Sequence, residues 1–440
     1  MRRAVGPATA ALAAAALASM ASVLLMLPGK LALAGTGALV ALLVFLLWPW
    51  LVLPVGTLGG AVIGGVTSGG DVRTYIVAHL LLLATGVAAL LVRYWLRMDP
   101  GPRRTPADLG MLVVVVLTGI TAGYGLAIGN LPSEVLVAGY QITVLPLYFF
   151  LTTHSLTTPR RLAAAGLAYV VVAAGLTAAS MTLPGRHGGL LTLLAIPPLV
   201  WLAGRVHGWR RILTVAVAGF FAADVLLASY RGIWLAALVT IAVLLLRGGR
   251  SIRTGLTATA TAGLALGVVL VFTPGVQQRA QEIATGLEQS AGYRGPESAV
   301  GLEVFAHRPV LGAGLGQSTA DVYLADFAST SVGPVYHAYY VTLLANVGLV
   351  GLALVLWPIV RSIRTGLAVR DAPSVPFAAL CCGFLAAALF AAPTDGHWEL
   401  GLLPALTLLT LPAARPSPTW STMPATASPP TAWRRLEVVR

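Results

Sequence analysis

Residues 109–128 read LGMLVVVVLTGITAGYGLAI, a run of twenty residues without a charged side chain. An α-helix rises about 1.5 Å per residue, so a helical run of this length spans the hydrocarbon core of a bilayer, which is about 30 Å thick. The run does not alternate apolar and polar residues, as the strands of a membrane β-barrel do. The pattern therefore predicts a transmembrane α-helix.

Apolar runs of the same kind recur along the whole chain. Fourteen candidate membrane segments are found, at residues 8–27, 31–48, 50–68, 74–92, 109–128, 134–151, 161–181, 189–203, 211–228, 231–246, 254–273, 336–360, 375–392 and 398–412. The 31–68 region and the short 189–203 segment have the weakest patterns. The sequence therefore predicts an all-α, polytopic helical membrane protein with about 12–14 transmembrane helices.

The composition of the 440-residue chain agrees with a membrane protein. Hydrophobic residues make up 57% of the chain and charged residues only 10%, with a mean hydropathy of +0.85. A soluble domain carries about 25% charged residues, so the composition excludes a soluble enzyme, a disordered protein and a disulfide scaffold. Cys381 and Cys382 are adjacent in an apolar run, and we expect both to be free thiols.

The basic residues predict the orientation in the membrane. The chain has 28 Lys and Arg against 15 Asp and Glu, a net charge of +13. If the N-terminus is cytoplasmic and the segments alternate, 21 basic residues fall inside and 7 outside. Cytoplasmic loops collect Lys and Arg, so we predict a multi-pass protein of the cytoplasmic (inner) membrane with both termini cytoplasmic and no nucleic-acid partner. Alternatively, Arg2, Arg3 and the first apolar segment form a cleaved signal peptide.

One long loop divides the chain. Residues 274–335 hold six acids and three arginines, in contrast to the short basic loops elsewhere. Segments 276–289 and 298–306 have amphipathic helical patterns, and long structured loops are usually functional. We predict an N-terminal membrane bundle (1–273), a partly helical extracytoplasmic loop (274–335), C-terminal membrane helices (336–412) and a disordered cytoplasmic tail (413–440) rich in Pro, Ser and Thr.

Four residues at the predicted outer face are candidates for chemistry. Arg231 opens a helix, Arg294 and Arg308 lie in the long loop, and His337 lies where this loop re-enters the bilayer. Guanidinium groups match phosphate oxygens, and a neutral imidazole accepts a proton near pH 7. The set predicts transfer from a membrane-bound diphosphate donor. Alternatively, these are interfacial or solvated side chains without a ligand.

Other polar positions give weaker signals. Asp224 is an intramembrane acid, expected to pair with Arg231, seven residues later, or with another buried polar group. Gly312, Gly314 and Gly316 resemble a phosphate loop, but no strand precedes them, so a tight turn is expected. The trio of Asp395, His397 and Glu399 offers only a weak metal signal. Structural roles are expected for His79, His154, His187 and His207, while His307 is ambiguous.

Three stretches resemble the O-antigen ligase and polymerase family of bacterial membrane glycosyltransferases. They are SYRGIW at residues 229–234, Arg294 followed by VFAHRPVLGAGLG at residues 304–316, and HAYYVTLLANVGLVG at residues 337–351. Each motif is weak alone, but their order around one long outer loop is moderately specific. Ala338 and Asn346 depart from the family pattern, which commonly has Asn and an acidic residue there.

The resemblance implies a GT-C-like helical fold and a reaction without metal or cofactor. It implies a polyprenyl-diphosphate-linked glycan as donor and a glycan or lipid as acceptor. Carried over to this sequence, Arg231 and Arg294 would hold the diphosphate, and His337 would orient or deprotonate the acceptor hydroxyl. Arg308, Tyr293 and Tyr336 are further candidates for substrate binding.

Two alternatives stay open. A peptidoglycan-type membrane glycosyltransferase also has a large outer loop, and it would need an essential loop acid such as Asp321 or Asp326. A polysaccharide or lipid transporter or flippase would show polar residues at several mid-helix positions. Intramembrane charge is almost confined to Asp224 in this sequence, which disfavours the transporter.

Overall fold

The structure is a computed structural model that describes residues 29–58, 72–99, 104–182, 189–228, 231–272, 291–317, 321–324, 327–331, 335–390 and 397–412. The helices in these residues are α1 (Gly29–Leu47), α2 (Pro49–Leu58), α3 (Val72–Trp95), α4 (Asp108–Ala127), α5 (Pro132–Ser155), α6 (Pro159–Thr182), α7 (Gly189–Ala203), α8 (Trp209–Leu226), α9 (Arg231–Arg247), α10 (Arg250–Val271), α11 (Ala291–His307), α12 (Tyr339–Gly366), α13 (Val375–Ala387) and α14 (Glu399–Leu409).

This architecture confirms the predicted polytopic helical membrane protein. Every predicted apolar segment that lies in the described residues forms a helix, while segment 8–27 lies outside them. Within the described part of the chain, six helices (α3, α4, α5, α6, α10 and α12) are long and apolar enough to cross a membrane. Five further apolar helices are shorter, so the count of 12–14 membrane helices stays a prediction.

Local sequence signals set the starts of the central helices. The backbone N–H of Thr105 donates to a carboxylate oxygen of Asp108 over 2.8 Å, which fixes the chain just before α4. Pro132 stands at the start of α5, where its missing N–H costs nothing, and Glu134 lies in the first turn beside the positive end of the helix dipole. These signals explain why α4 begins at Asp108 and α5 at Pro132.

Helix α5 lies at the centre of the bundle. It packs against α3, α4 and α14, and its side chains Tyr140, Tyr148 and Phe149 are fully buried. Both cysteines are free thiols, as expected; Cys381 is buried and Cys382 half-buried in α13. The C-terminal helices thus pack within the same bundle as the earlier ones, and the predicted division into four parts stays a prediction.

Small residues allow α9 and α13 to pack closely. A Cβ atom added at Gly383 would stand 2.3 Å from the Oγ1 atom of Thr240 and 2.4 Å from the carbonyl oxygen of Ala236. Small residues permit such close approach in membrane bundles, where side-chain packing holds helices together. The Thr240 hydroxyl also donates to the carbonyl oxygen of Ala379 over 3.4 Å, so the two helices run antiparallel.

The long loop contains a helix and a short β-ribbon. The predicted helical segment 298–306 lies within α11, and segment 276–289 lies outside the described residues. Strands β1 (Asp321–Leu324) and β2 (Phe327–Ser331) pair antiparallel, with Asp321 opposite Ser331 and Leu324 opposite Phe327. The sequence predicted a partly helical loop with two helical segments and no strands. The strands form where Val, Tyr, Phe and Thr, which favour strands, replace the helical pattern.

Candidate functional site

His337 lies immediately before α12, with its side chain 46% exposed. Its Nδ1 atom is hydrogen-bonded to the Oε2 atom of Glu297, a residue of α11. An ionised carboxylate only accepts hydrogen bonds, so Nδ1 carries the proton and Nε2 is the basic nitrogen of the neutral ring. A carboxylate that orients an imidazole in this way supports general-base catalysis, because it fixes the tautomer and stabilises the imidazolium.

A closed pair of hydrogen bonds holds the backbone before His337. The N–H of Tyr336 donates to the Oγ1 atom of Thr342 over 2.9 Å, and the Thr342 hydroxyl lies 3.1 Å from the carbonyl oxygen of Tyr336. The Tyr336 ring is 1% exposed and packs against Gly301 of α11. Burial, with a smaller contribution from the charge of Glu297, raises the pKa of Tyr336 to about 12. A direct contact of Tyr336 with substrate stays a prediction.

Helix α11 also contains Arg294 and Tyr293. Arg294 is the residue three positions before Glu297 in the same helix, and residues three apart on a helix are neighbours on its surface. The structure therefore places Arg294 in the element that supplies the partner of His337. The side chains of both Arg294 and Tyr293 lie outside the description, so their roles stay predictions.

Arg308 follows α11 and connects the loop to the bundle. Its exposed side chain donates from Nη1 to the hydroxyl oxygen of Tyr124, near the end of α4, over 2.8 Å. This hydrogen bond holds one N–H group of the Arg308 guanidinium. Because the Tyr124 hydroxyl is neutral, the contact does not neutralise the positive charge of Arg308. Arg308 is a candidate from the sequence, whereas its partner Tyr124 lies 184 residues earlier and carries no sequence signal.

Arg231 lies at the start of α9 with an exposed side chain. The indole Nε1 of Trp234 donates to the carbonyl oxygen of Val225 over 2.9 Å, which ties the start of α9 to the end of α8. Gly383 of α13 lies against Ala236 of α9. Because the two helices are antiparallel, the residue about one turn before Ala236, which is Arg231, lies at the same height as the end of α13.

The end of α13, which lies level with Arg231, also contacts the start of α12 just after His337. The backbone N–H of Tyr339 donates to the carbonyl oxygen of Ala388 over 3.0 Å, just beyond α13. The hydroxyl of Tyr340 donates to the carbonyl oxygen of Leu385 over 2.7 Å. The start of α12, which follows His337, and the start of α9, which is Arg231, therefore lie at the same end of the bundle.

Asp224 is buried and accepts a hydrogen bond from the Oγ1 atom of Thr192 over 2.9 Å. Helix α8 ends at Leu226 and α9 begins at Arg231, so no continuous helix aligns Asp224 with Arg231 over two turns.

The glycines of the loop form a tight turn against the bundle. The φ angles of Gly312, Gly314 and Gly316 are 71°, 86° and 83°, a region that strongly favours glycine. A Cβ atom at Gly312 would stand 2.5 Å from the backbone of Asn346, and one at Gly316 would stand 2.5 Å from the backbone of Val135. The turn contacts protein backbone on these sides, which agrees with the expected tight turn and not with a phosphate loop.

This turn completes the hydrogen bonds of a broken helix. Helix α12 is interrupted at Gly348, where φ is 66° and ψ is −170°. The N–H groups of Ala313 and Gly314 donate to the carbonyl oxygens of Ala345 and Asn346 over 2.8 and 3.0 Å. In return, the N–H groups of Leu349 and Val350 donate to the carbonyl oxygens of residues 309 and 310 over 2.9 and 3.2 Å. Unsatisfied backbone groups are costly in a membrane, so the break and the turn depend on each other.

Asn346, where the family commonly has an acid, is 3% exposed beside this break. Its Nδ2 atom donates to the carbonyl oxygen of Thr342 over 2.8 Å. Thr342 is the residue that holds Tyr336, so Asn346 supports the same turn of helix that precedes the break. A neutral amide can be buried here at a lower desolvation cost than a carboxylate.

The described residues contain no group of three or more His, Cys, Asp or Glu that could hold a metal. The Nδ1 atom of His397 and the Oε1 atom of Glu399 form a buried pair at 2.5 Å, while Asp395, the third member of the suggested trio, lies outside the description. That the reaction needs neither a metal nor another cofactor stays a prediction.

The residues of this site lie in a recognised family segment. Residues 215–356 match the family model Wzy_C, described as O-Antigen ligase. This match confirms the resemblance to the O-antigen ligase and polymerase superfamily, and it supports glycan transfer of that general type. No curated protein and no solved structure matches the chain. The segment contains Arg231, Arg294, Arg308, the glycine turn and His337.

Proposed function

We propose that the O-antigen ligase segment makes this protein a membrane glycosyltransferase that transfers a glycan from a polyprenyl-diphosphate carrier to an acceptor hydroxyl. The observation that carries the proposal is the hydrogen bond between His337 and Glu297, because it joins a solvent-accessible imidazole to the helix that contains Arg294. The acceptor is a glycan or a lipid, so the activity is that of a polysaccharide ligase or polymerase.

His337 acts as the general base in this proposal. Its Nε2 atom takes the proton of the acceptor hydroxyl while the hydroxyl oxygen attacks the anomeric carbon of the donor sugar. The bond between that carbon and the diphosphate oxygen breaks, and the carrier leaves as a diphosphate. Glu297 stabilises the imidazolium that forms, in the way a carboxylate supports a catalytic histidine elsewhere.

The arginines bind the charge of the leaving group. Arg231 and Arg294 hold the diphosphate, because planar guanidinium donors match its oxygens and their charge opposes the negative charge that develops on leaving. Arg308, anchored by Tyr124, is an auxiliary contact, and Tyr293 and Tyr336 are further candidates for substrate binding. No metal ion or cofactor takes part in the proposed reaction.

The site faces the outer side of the cytoplasmic membrane in this proposal. The 21 basic residues predicted inside and the 7 predicted outside support cytoplasmic termini and an extracytoplasmic loop. A polyprenyl-linked donor and the membrane lipids are then the partners that reach the site laterally.

The test is glycan transfer by the purified, reconstituted protein with a polyprenyl-diphosphate glycan as donor. His337→Ala is expected to lower the rate by roughly 10²–10⁴-fold, the usual contribution of a general base, and Arg294→Ala is expected to abolish measurable transfer. His307→Ala and Arg253→Ala are the matched controls. His307 is an exposed histidine in the same helix as Arg294, whereas Arg253 lies near the start of α10, which is predicted to be at the opposite face of the membrane.

Both control variants are expected to keep the wild-type rate. Wild-type product formation by folded His337→Ala protein would remove the general-base role, and wild-type transfer by Arg294→Ala would remove the diphosphate role. Folding is checked by the melting temperature of each variant, so that loss of structure is not counted as loss of chemistry.

A further inference from the structure

A cavity of about 500 Å³ lies among α2, α6, α7, α8, α13 and α14, away from the candidate site. Its lining is almost entirely aliphatic, and it includes Leu162, Leu167 and Val170 of α6, Leu199 of α7, and Leu213 and Val217 of α8. This volume lies in the range of ligand-binding pockets, which is about 300–1,000 Å³. The lining has the chemistry of a hydrocarbon site.

The few polar groups of the lining are satisfied within the protein. The hydroxyl of Tyr169 donates to the carbonyl oxygen of Leu191 over 2.9 Å, and that of Thr57 donates to the carbonyl oxygen of Leu53 over 2.9 Å. The hydroxyl of Thr214 likewise donates to a backbone carbonyl oxygen one turn earlier, over 2.8 Å. These hydroxyls therefore add little polar recognition, and the cavity suits an apolar chain more than a sugar or a phosphate.

The cavity lies at the opposite end of the bundle from Arg231. Leu162 and Leu213 lie near the starts of α6 and α8, whereas α8 continues for half of its 18 residues beyond Val217, its last cavity-lining residue, before the chain reaches Arg231. From Leu162 to Val170 the lining extends about 12 Å along α6, at 1.5 Å per residue. Half of a hydrocarbon core is about 15 Å thick, so the cavity spans a single leaflet.

Two arginines lie next to the lining residues at this end of the cavity, its mouth: Arg160 precedes Leu162 by two residues, and Arg210 precedes Leu213 by three. Arg160, at the start of α6, and Arg210, at the start of α8, have exposed side chains. Among the residues the structure describes, neither arginine forms an ion pair. Trp209 is 69% exposed beside Arg210, as is typical of a residue at the membrane–water interface. The mouth is therefore complementary to an anionic headgroup.

We propose that this cavity binds an acyl chain of an anionic phospholipid, whose headgroup contacts Arg160 and Arg210, in the leaflet opposite the candidate catalytic site. The depth of one leaflet and the aliphatic walls fit the chain, and the arginines at the mouth fit the phosphate. This site is separate from the proposed transfer reaction, and neither depends on the other.

Gly166 offers a direct way to fill the cavity. It lines the cavity on α6, and nothing lies within 4 Å of a Cβ atom added there. Gly175 is the matched control, because it lies on the same helix, also has open space at its Cβ position and is not part of the lining. Both Gly166→Leu and Gly175→Leu gain helix propensity, so a difference between them reports on the cavity.

The experiment measures phosphatidylglycerol bound to purified protein by native mass spectrometry, and the rise in melting temperature that added phosphatidylglycerol causes. Gly166→Leu is expected to lower the bound lipid roughly tenfold and to remove the rise in melting temperature, whereas Gly175→Leu behaves as wild type. Arg160→Gln with Arg210→Gln is expected to abolish the preference for phosphatidylglycerol over phosphatidylcholine. Equal binding by the two glycine variants, or equal binding of the two lipids by wild type, overturns the proposal.

A second measurement, made on the wild-type protein, tests the proposal even if Gly166→Leu does not fold. Phosphatidylglycerol with a photoreactive group in its acyl chain is added to the wild-type protein, and the crosslinked peptides are identified. Crosslinks concentrated in the cavity-facing parts of α6, α7 and α8 support the site. Crosslinks spread evenly over the outer surface of the bundle show only surrounding lipid and overturn it.

Discussion

At the scale of single residues, the proposed function depends mainly on the contact between His337 and Glu297. The two residues are 40 positions apart, and only the histidine was predicted from the sequence. Glu297 stands directly before the predicted helical segment 298–306, but nothing in the sequence shows which of six loop acids reaches the histidine. The packing of α11 against Tyr336 and the start of α12, which includes the contact of Gly301 with the Tyr336 ring, brings the carboxylate to the imidazole.

Glu297→Gln tests whether the carboxylate positions His337 for catalysis. The amide keeps the size of the side chain but loses the charge that stabilises the imidazolium, so we expect the transfer rate to fall roughly tenfold to a hundredfold. The KM for the lipid-linked donor is expected to stay near the wild-type value. Steady-state kinetics with the reconstituted protein measure both quantities.

Glu303→Gln is the control for this change, because Glu303 is an exposed acid of the same helix. It is expected to leave both kcat and KM unchanged. A Glu297→Gln protein with wild-type kcat contradicts the positioning role, and a raised KM with normal kcat moves Glu297 from catalysis to donor binding.

At the scale of elements, the mutual dependence of the glycine turn and α12 is the main finding. A Cβ atom at Gly348 would stand 2.4 Å from the carbonyl oxygen of Val310 and 2.5 Å from the backbone nitrogen of Gly312. Gly348→Ala adds this clash to a strained positive φ, so we expect a loss of at least about 2 kcal/mol in stability and a clearly lower melting temperature.

Gly119→Ala is the comparison for Gly348→Ala. Gly119 lies inside α4 with nothing within 4 Å of its Cβ position, so alanine there is expected to stabilise the protein by up to about 1 kcal/mol. Thermal unfolding in one detergent measures both variants. If Gly348→Ala melts like the wild type, the positive φ and the close contacts at the break in α12 do not require a glycine at position 348.

A buried ion pair joins two other elements. A carboxylate oxygen of Asp99 lies 2.5 Å from the Nε atom of Arg93, at the end of α3, and the other lies 2.6 Å from the Nη2 atom of Arg161 in α6. The side chains of Asp99 and Arg93 are 2% and 6% exposed. Although burial alone would raise the pKa of Asp99, the hydrogen bonds and charges of the two arginines hold it below its ordinary value.

Asp99→Asn is expected to lower the stability by about 3–5 kcal/mol, because it leaves Arg93 buried without a counter-charge. Asp371→Asn removes the pair with Arg205, in which both side chains are more exposed, and is expected to cost no more than about 1 kcal/mol. Melting temperatures at neutral pH compare the two variants, and equal losses contradict the difference in burial.

The same pair makes a prediction about pH. A carboxyl group whose pKa is lowered in the folded protein adds stability above its ordinary pKa, and this contribution disappears as the pH falls through the folded value. The wild-type melting temperature is therefore expected to fall toward that of Asp99→Asn as the pH drops below about 5. A constant difference between the two proteins down to pH 2 contradicts this linkage.

At the scale of the whole molecule, the apolar runs predicted the helices well, because a membrane requires long uncharged segments whatever their packing. The segments 109–128 and 189–203, for example, correspond to α4 and α7 almost residue for residue. The break at Gly348 and the strands β1 and β2 were not predicted. The first depends on a contact with residues 309–314, and the strands depend on pairing within a loop that has no membrane to constrain it.

The orientation of the whole protein can be measured directly. In a Cys381→Ala, Cys382→Ala background, a membrane-impermeant maleimide added to intact cells without an outer barrier is expected to label His307→Cys and not Arg253→Cys. Both variants are expected to react after the membrane is opened. Labelling of Arg253→Cys alone in intact cells reverses the predicted topology and moves the proposed reaction to the cytoplasmic face.

The exchange of hydrogen bonds between the glycine turn and α12 also sets an order of assembly. Residues 309–314 leave the ribosome before residues 345–350, yet each set supplies the partners of the other. The turn cannot complete its bonds until the later helix has been synthesised. The imidazole at position 337 likewise follows its carboxylate partner by 40 residues, so the proposed site is assembled only after the ten described helices that precede α11 have been synthesised.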